Sequence, residues 1–173
     1  PENWAEQKVL SKTNLFPYIM PSADLLEANQ IEAHYYGYYT KWNVNENYKY
    51  IQSKIDFKTN PRGRTYGTTT NYDSLDDHMD DLYYYMQFIK FGFGRAIRDL
   101  SRQIQNREIT RNEALELARK YDGEYPIETI GVVCDFLRMS EKELLEIIDS
   151  HRNPKVWSKS GSTWINKVHE ALF

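Results

Sequence analysis

The sequence predicts a mostly α-helical fold carrying one or two strands. From about residue 44 onward, apolar residues recur at spacings of three and four. Two capping boxes, Thr110-Arg-Asn-Glu113 and Ser140-Glu-Lys-Glu143, mark helix starts, because the hydroxyl takes one orphan amide and the glutamate reaches back to another. A single tyrosine-rich run, AHYYGYY, has the composition of a strand. With 173 residues, of which 40% are apolar and 27% charged, the chain is long enough for a sizeable core. That composition excludes disordered and collagenous classes. The 22 Lys and Arg against 25 Asp and Glu give a net charge of -3, which argues against a generic nucleic-acid binder.

Taken in order, Pro17 and Pro21 limit any helix in the opening stretch. Ser22 or Asp24 then caps a short helix through Leu25, Leu26 and Ala28. The tyrosine run reads as one strand over Ala33 to Thr40, which needs a partner, because a lone strand leaves its backbone groups unpaired. Tyr48, Ile51 and Ile55 mark a helix with one apolar face. The run from Asp56 to Asp73 holds Pro61, Gly63 and Gly67 and reads as a loop too long to be mere connection. Ser74 and the acids Asp76, Asp77, Asp80 and Asp81 open a helix that Lys90 and Gly92 close. Tyrosines on its other sides make it central in the fold.

A second helix from about Phe93 turns Phe93, Ile97, Leu100 and Ile104 inward. The first capping-box helix ends at Gly123, and Pro126 suits the first turn of a helix through Ile127, Ile130, Val133, Phe136 and Leu137. The second ends at Asn153-Pro154, after which Trp157, Trp164, Val168 and Leu172 dress one terminal helix or two short ones.

Candidate chemistry centres on Lys90 to Arg111, where six basic residues (Lys90, Arg95, Arg98, Arg102, Arg107, Arg111) face two acids, Asp99 and Glu108, in a chain that is acidic overall. Arg95, Arg98 and Arg102 share one helix face. Gly92 and Gly94 would bare the first amides of that helix, so its start beside Lys90 and Arg95 is a candidate phosphate seat. The same pattern also describes a solvated amphipathic helix with an ordinary Arg95 to Asp99 surface pair.

The DDHMDD cluster fits helix-dipole compensation better than metal binding, so no metal is expected. His34, His151 and His169 lack a carboxylate or cysteine at ligand spacing and read as isolated imidazoles. Cys134, among Val132, Val133 and Phe136, is expected to be buried and inert. As the one cysteine it permits no intrachain disulfide, and a reducing cytoplasm is the simplest compartment. No apolar run approaches the about 20 residues that cross a bilayer. Asn43, Glu46 and Asn47, where strand gives way to helix, are better placed for a ligand than the tyrosines.

Five segments in this order, YYGYYTKWNVNENY, GTTTNYDSLDD, IKFGFGRAIRDLSRQI, ITRNEALELARKYDGEYP and SHRNPKVW, resemble the C-terminal part of the N-acetyl sugar amidotransferases. These bacterial enzymes of surface-glycan biosynthesis turn an acetamido sugar into an acetamidino sugar. The resemblance runs from about Ala33 to Trp157. It implies an ATP-pyrophosphatase-class enzyme whose N-terminal α/β domain holds ATP with Mg in an SGGxDS loop. That loop is not in this sequence, so this chain alone is expected to be inactive.

On this view residues 1–56 end the nucleotide-binding domain, with the strand at 33–40 completing its parallel sheet. Residues 57–73 are a loop, and 74–173 form a C-terminal helical lobe. The implied reaction adenylates the amide oxygen, after which ammonia displaces AMP. A glutaminase and an ammonia-channelling subunit would supply the ammonia. Lys90, Arg95 and Arg98 become the phosphate or substrate contacts, and Asn43, Glu46, Asn47, Asn71 and Asp73 line the sugar side. Expected partners are an acetamido sugar or sugar nucleotide and, as a homodimer, a second copy of the chain, with neither nucleic acid nor membrane. The competing class is a helical interaction or dimerisation module without catalysis.

Overall fold

A computed structural model of the protein describes residues 11–173. The chain divides into two compact units at the Trp42/Asn43 boundary. In the first, the described residues form α1 (Lys12–Leu15), a 3-10 turn (Phe16–Tyr18), α2 (Ala23–Ala28) and α3 (Tyr36–Tyr39). Ser22 caps α2 through its hydroxyl, as its sequence position predicts. Leu15 is the buried side chain among these described residues, whereas Tyr35, Tyr36, Tyr38, Tyr39 and Trp42 are exposed.

The strand expected over 33–40 is not formed. Tyr36–Tyr39 make a single helical turn instead. The described residues offer that segment no neighbouring strand, so local bonds satisfy its backbone: Tyr38 N donates to Tyr35 O and Thr40 N to Tyr36 O.

The second unit is helical, as the periodicity indicates. Asn43 caps α4 (Val44–Lys54) by accepting the Glu46 amide at 3.0 Å. α5 (Met79–Phe91) starts later than expected, because Ser74 is held at a left-handed φ of 49° and Asp77 takes the Met79 amide. Gly92, at φ 79°, closes it. α6 (Arg95–Gln105) buries Ala96 and Leu100, while Phe93 lies outside it and is exposed.

Both capping boxes form, opening α7 (Arg111–Tyr121) and α9 (Glu141–Ser150). Between them α8 (Ile130–Leu137) begins after Pro126, whose carbonyl accepts the Ile130 amide, and Ile127 and Phe136 point outward.

Trp157 and Trp164 do not lie on a helix. They sit on an antiparallel hairpin, β1 (Trp157–Ser160) and β2 (Thr163–Asn166), which leads into α10 (Lys167–Leu172). The two-residue connection Gly161-Ser162 explains the difference: glycine, at φ 60°, supplies the positive φ that a tight hairpin turn demands and that helix periodicity overlooks.

The main core gathers Leu82 and Ile89 of α5, Ile130, Val133 and Cys134 of α8, Leu144 and Ile148 of α9, and Trp157. The Trp157 indole N–H donates to Ile89 O at 2.6 Å, locking the hairpin to the end of α5. Small residues let α6 and α7 approach, forming a second cluster of Ala96, Leu100, Ala114 and Ala118. Burial pushes the Cys134 thiol pKa up, in keeping with a packing role.

A methyl group on Gly123 would lie 2.4 Å from the Phe88 ring at a backbone φ of 77°. Gly123→Ala is therefore expected to lower stability by about 2–4 kcal/mol in urea denaturation. Gly131, on α8 with nothing within 4 Å of an added methyl, should instead gain about 0.5–1 kcal/mol on replacement by alanine.

Hydrogen bonds from the Thr110 backbone and hydroxyl lower the Glu113 pKa, and those from Ser140 lower that of Glu143. A depressed folded-state pKa means the cap's contribution is present above the ordinary glutamate value and is lost as pH falls through the folded value. Stability measured across that acid window should fall less steeply in the double variant Glu113→Gln, Glu143→Gln.

Candidate functional site

The loop at 57–73 is ordered by its own threonines. Asn60 N donates to Asn71 O and Thr65 N to Thr70 O, closing an irregular hairpin around Thr68, whose hydroxyl donates to Thr65 O at 2.8 Å. Arg64 clamps this loop to the end of α7, with two bonds of 2.7 Å to the Glu124 carboxylate and a third to Thr68 O at 2.9 Å. Its guanidinium lies 3.9 Å from the centre of the Tyr121 ring.

The loop delivers Asp73 to the first turn of α6. There the Arg95 guanidinium donates to Asp99 Oδ2 at 2.7 Å, to Asp73 Oδ1 at 2.9 Å and to the Tyr84 hydroxyl at 2.8 Å. Ser74 in turn bonds Tyr84, and Thr70 bonds Asp73. This is more than an ordinary surface pair, since the Arg95 and Asp99 side chains are only 17% and 12% exposed. Burial alone would lower the Arg95 pKa, but the charges of Asp99 and Asp73 overcome it and raise it. Burial pushes the Asp99 carboxyl up despite its bond to Arg95.

A second node joins α4 to the turn after α6. Glu108 accepts the side-chain amide of Asn43 at 2.6 Å and that of Asn45. Asn45 Oδ1 accepts the Tyr72 hydroxyl at 2.6 Å, and the Tyr72 ring stacks on Tyr48 with centroids 4.2 Å apart. Burial, followed by the nearby charges of Asp73, Asp99 and Glu108, pushes the Tyr72 pKa up to about 12, so it stays a donor. Every polar atom along this chain of bonds has one direction, which fixes the side chains as a wall.

The start of α6 does not fit the phosphate seat anticipated from Gly92 and Gly94. The side chain of Asp122, fully buried, already occupies it. The Gly94 amide donates to both carboxylate oxygens, at 3.0 and 2.8 Å, and the Ile97 amide donates at 3.2 Å. Gly94 is needed because a methyl there would stand 2.8 Å from Asp122 Oδ1. His169 of α10, 47 residues away in sequence, reaches Asp122 Oδ2 at 3.0 Å. Its ring meets Phe88 and Phe173 edge-on.

Of the residues singled out in the sequence, Asp73 and Arg95 meet directly, and Asn43 anchors the neighbouring node. Asn71 spends its carbonyl inside the loop. Glu46, Asn47 and Lys90 are exposed and join neither node, while Arg98 lies beside Asp99 at 3.6 Å. Sequence reasoning missed Tyr72, Tyr84, Glu108 and Asp122 as partners. Asp122 carried a signal, an acid directly before a turn glycine, whereas Glu108 follows Arg107, whose left-handed φ of 62° no residue type announces.

Residues 66–169 match the family described as "LPS biosynthesis protein WbpG-like, C-terminal domain". The match takes in the Arg95 node, the α6 start and the hairpin, and leaves Asn43, Glu46 and Asn47 outside. No curated protein matches the chain.

Asp122→Ala strips the acceptor from the Gly94 and Ile97 amides and from His169. It is expected to lower stability by about 2–4 kcal/mol, measured by chemical denaturation, and to speed amide hydrogen exchange at Gly94 and Ile97 more than in α9.

Proposed function

Because the chain belongs to the WbpG-like C-terminal domain family of lipopolysaccharide biosynthesis proteins, we propose that it is the substrate-side portion of an ATP-dependent N-acetyl sugar amidotransferase. The family match over 66–169 carries this proposal, and the five ordered segments that resemble the amidotransferases support it. The reaction exchanges the oxygen of an acetamido group for nitrogen. ATP takes up the amide oxygen as part of AMP, ammonia forms the new C–N bond, and pyrophosphate leaves in the activation step. ATP with Mg, the acetamido sugar, and the glutaminase and channelling subunits belong to this proposal by resemblance.

Within it, the chain's own part is to shape the sugar side. The amides at the start of α6 are spent on Asp122 and do not fit a nucleotide phosphate, so no step is assigned to them. The two walls of directed donors and acceptors, around Arg95 and around Glu108, have the polarity that sugar hydroxyl and acetamido groups need. Arg95 itself is held by two carboxylates and a phenol, and it acts by positioning Asp73 and Tyr84.

One observation favours a second reading. The exposed aromatic residues Tyr35, Tyr36, Tyr38, Tyr39 and Trp42 suit an interaction surface, as an interaction or dimerisation module would carry.

The natural full-length protein, supplied with ATP, Mg and ammonia, should release AMP only when an acetamido sugar is present, and should yield a sugar in which NH replaces O by mass spectrometry. AMP release that ignores the sugar would overturn the amidotransferase reading. Arg95→Gln should reduce sugar-dependent turnover at least about tenfold and should also lower stability by about 2–4 kcal/mol, since it leaves Asp73 and Asp99 facing each other.

A further inference from the structure

Two surfaces of the second unit are uncovered by any described residue, and each has what the other lacks. The first is a groove between α6 and α7. Its floor is low because Ala114 and Ala118 are small, and Ile97, Ile104, Leu115 and Phe173 form its sides around an open cavity of about 90 Å³. A single water needs about 10–15 Å³, so apolar side chains have room to enter. Arg111 also lines the groove, and the Arg119 guanidinium lies 5.0 Å from the centre of the Phe173 ring at its edge. Arg62, Arg64, Arg95 and Arg152 each face a carboxylate. Among the described residues no acidic side chain is paired with Arg111 or Arg119, although Arg119 donates to Phe173 O at 3.5 Å.

The second surface is the outer side of α8. Ile130, Val133 and Cys134 of this helix are buried in the main core, yet Val132 and Phe136, one turn apart on the opposite side, are 52% and 73% exposed. Ile127, just ahead of the helix, is exposed as well. A helix that is apolar on all sides is one that is covered on all sides. The uncovered side also carries acids, the exposed Glu128 and Asp135, about two turns apart. No cation is paired with Asp135 among the described residues, and Glu128 has Arg62 at 3.6 Å.

We propose that the Val132/Phe136 ridge of one copy of the chain enters the α6/α7 groove of a second copy. Side chains four residues apart form a ridge along a helix, and laid in the valley between two helices that ridge buries both of its flanks. The charges select the occupant. Arg111 and Arg119 stand about two turns apart along α7, the same interval that separates Glu128 and Asp135, so the acids beside the ridge meet the cations of the rim. Apolar burial supplies the affinity, and the rim charges set which way round the ridge lies. Ridge and groove are different patches, so the contact is heterologous: it closes into a pair where it forms twice about a two-fold axis, and otherwise copies add head to tail. Neither the Arg95 node nor the tyrosines of the first unit take part, which makes the proposal independent of the amidotransferase reading.

Sedimentation velocity on the 173-residue chain, from micromolar to several hundred micromolar, should show the 20.6 kDa species giving way to larger ones as concentration rises. Phe136→Ser should weaken that association at least about tenfold. Because Phe136 is exposed, the same variant should keep its thermal unfolding midpoint within about 2 °C of the parent. Asp135→Arg, and the double variant Arg111→Glu, Arg119→Glu, should each associate at least about fivefold more weakly than the parent. An equimolar mixture of the two should associate again, since a reversed ridge then meets a reversed rim. A chain that stays monomeric throughout the series, an association untouched by Phe136→Ser, or a mixture no better than its components would each overturn the proposal. Should the chain stay monomeric while a synthetic acidic amphipathic helix moves the Ile97 and Leu115 amide signals in NMR, the groove belongs to a different protein, and the second copy is overturned as its occupant. The sugar dependence of AMP release decides the amidotransferase reading separately from all of these.

Discussion

The Arg95 guanidinium, set between Asp73, Asp99 and the Tyr84 hydroxyl, is the contact on which the arrangement of the second unit's polar face depends. Its three bonds reach three different pieces of chain: the end of the 57–73 loop, its own helix α6, and α5. A guanidinium can do this because its five N–H groups lie in one plane and point in fixed directions. Two carboxylates share Arg95, with Arg98 a further cation 3.6 Å from Asp99, and half-burial makes each unpaired charge expensive. Burial, with a smaller push from the Asp73 charge, raises the Asp99 pKa. Such a node is specific before it is stabilising, since each partner placed wrongly would leave an uncompensated charge.

Around it, the fold handles helix ends with side chains from elsewhere in the chain. Asp122, at the end of α7, caps α6, and Asn166, at the end of β2, both opens α10 and donates to the carbonyl of Gly92 at 2.9 Å. His169 on α10 then reaches back to Asp122. The stops of α5 and α7 and the starts of α6 and α10 are thus tied to one another at the place where Gly92 and Gly94 allow close approach. The glycines that resemble a phosphate loop in sequence serve here to admit an internal carboxylate.

The chain belongs to a family of lipopolysaccharide biosynthesis proteins. The family match covers the loop from residue 66, the Arg95 node and the hairpin, all held by side-chain hydrogen bonds between distant segments. Asn43 and Asn45 lie before the matched residues, yet Glu108 within them holds both side chains. The wall therefore extends past the matched segment. Among the described residues of the first unit, Leu15 is the buried side chain.

Sequence by itself determined the elements whose signals are local. The two capping boxes, the glycine closing α5, the Ser22 cap and the helix class all follow from residues within one turn of each other, where propensity and short hydrogen bonds decide the outcome. Tertiary structure decided the rest. The tyrosine run at 36–39 became a helical turn because a strand's identity depends on a neighbour, not on its own composition. The hairpin carrying Trp157 and Trp164 turns at Gly161, and its place in the fold was set when the Trp157 indole N–H met Ile89 O across 68 residues. Asp99, Glu108 and Asp122 look in sequence like solvated surface acids. What each one holds was set by chain segments brought together only on folding, where a desolvated charge must find its partner or be lost.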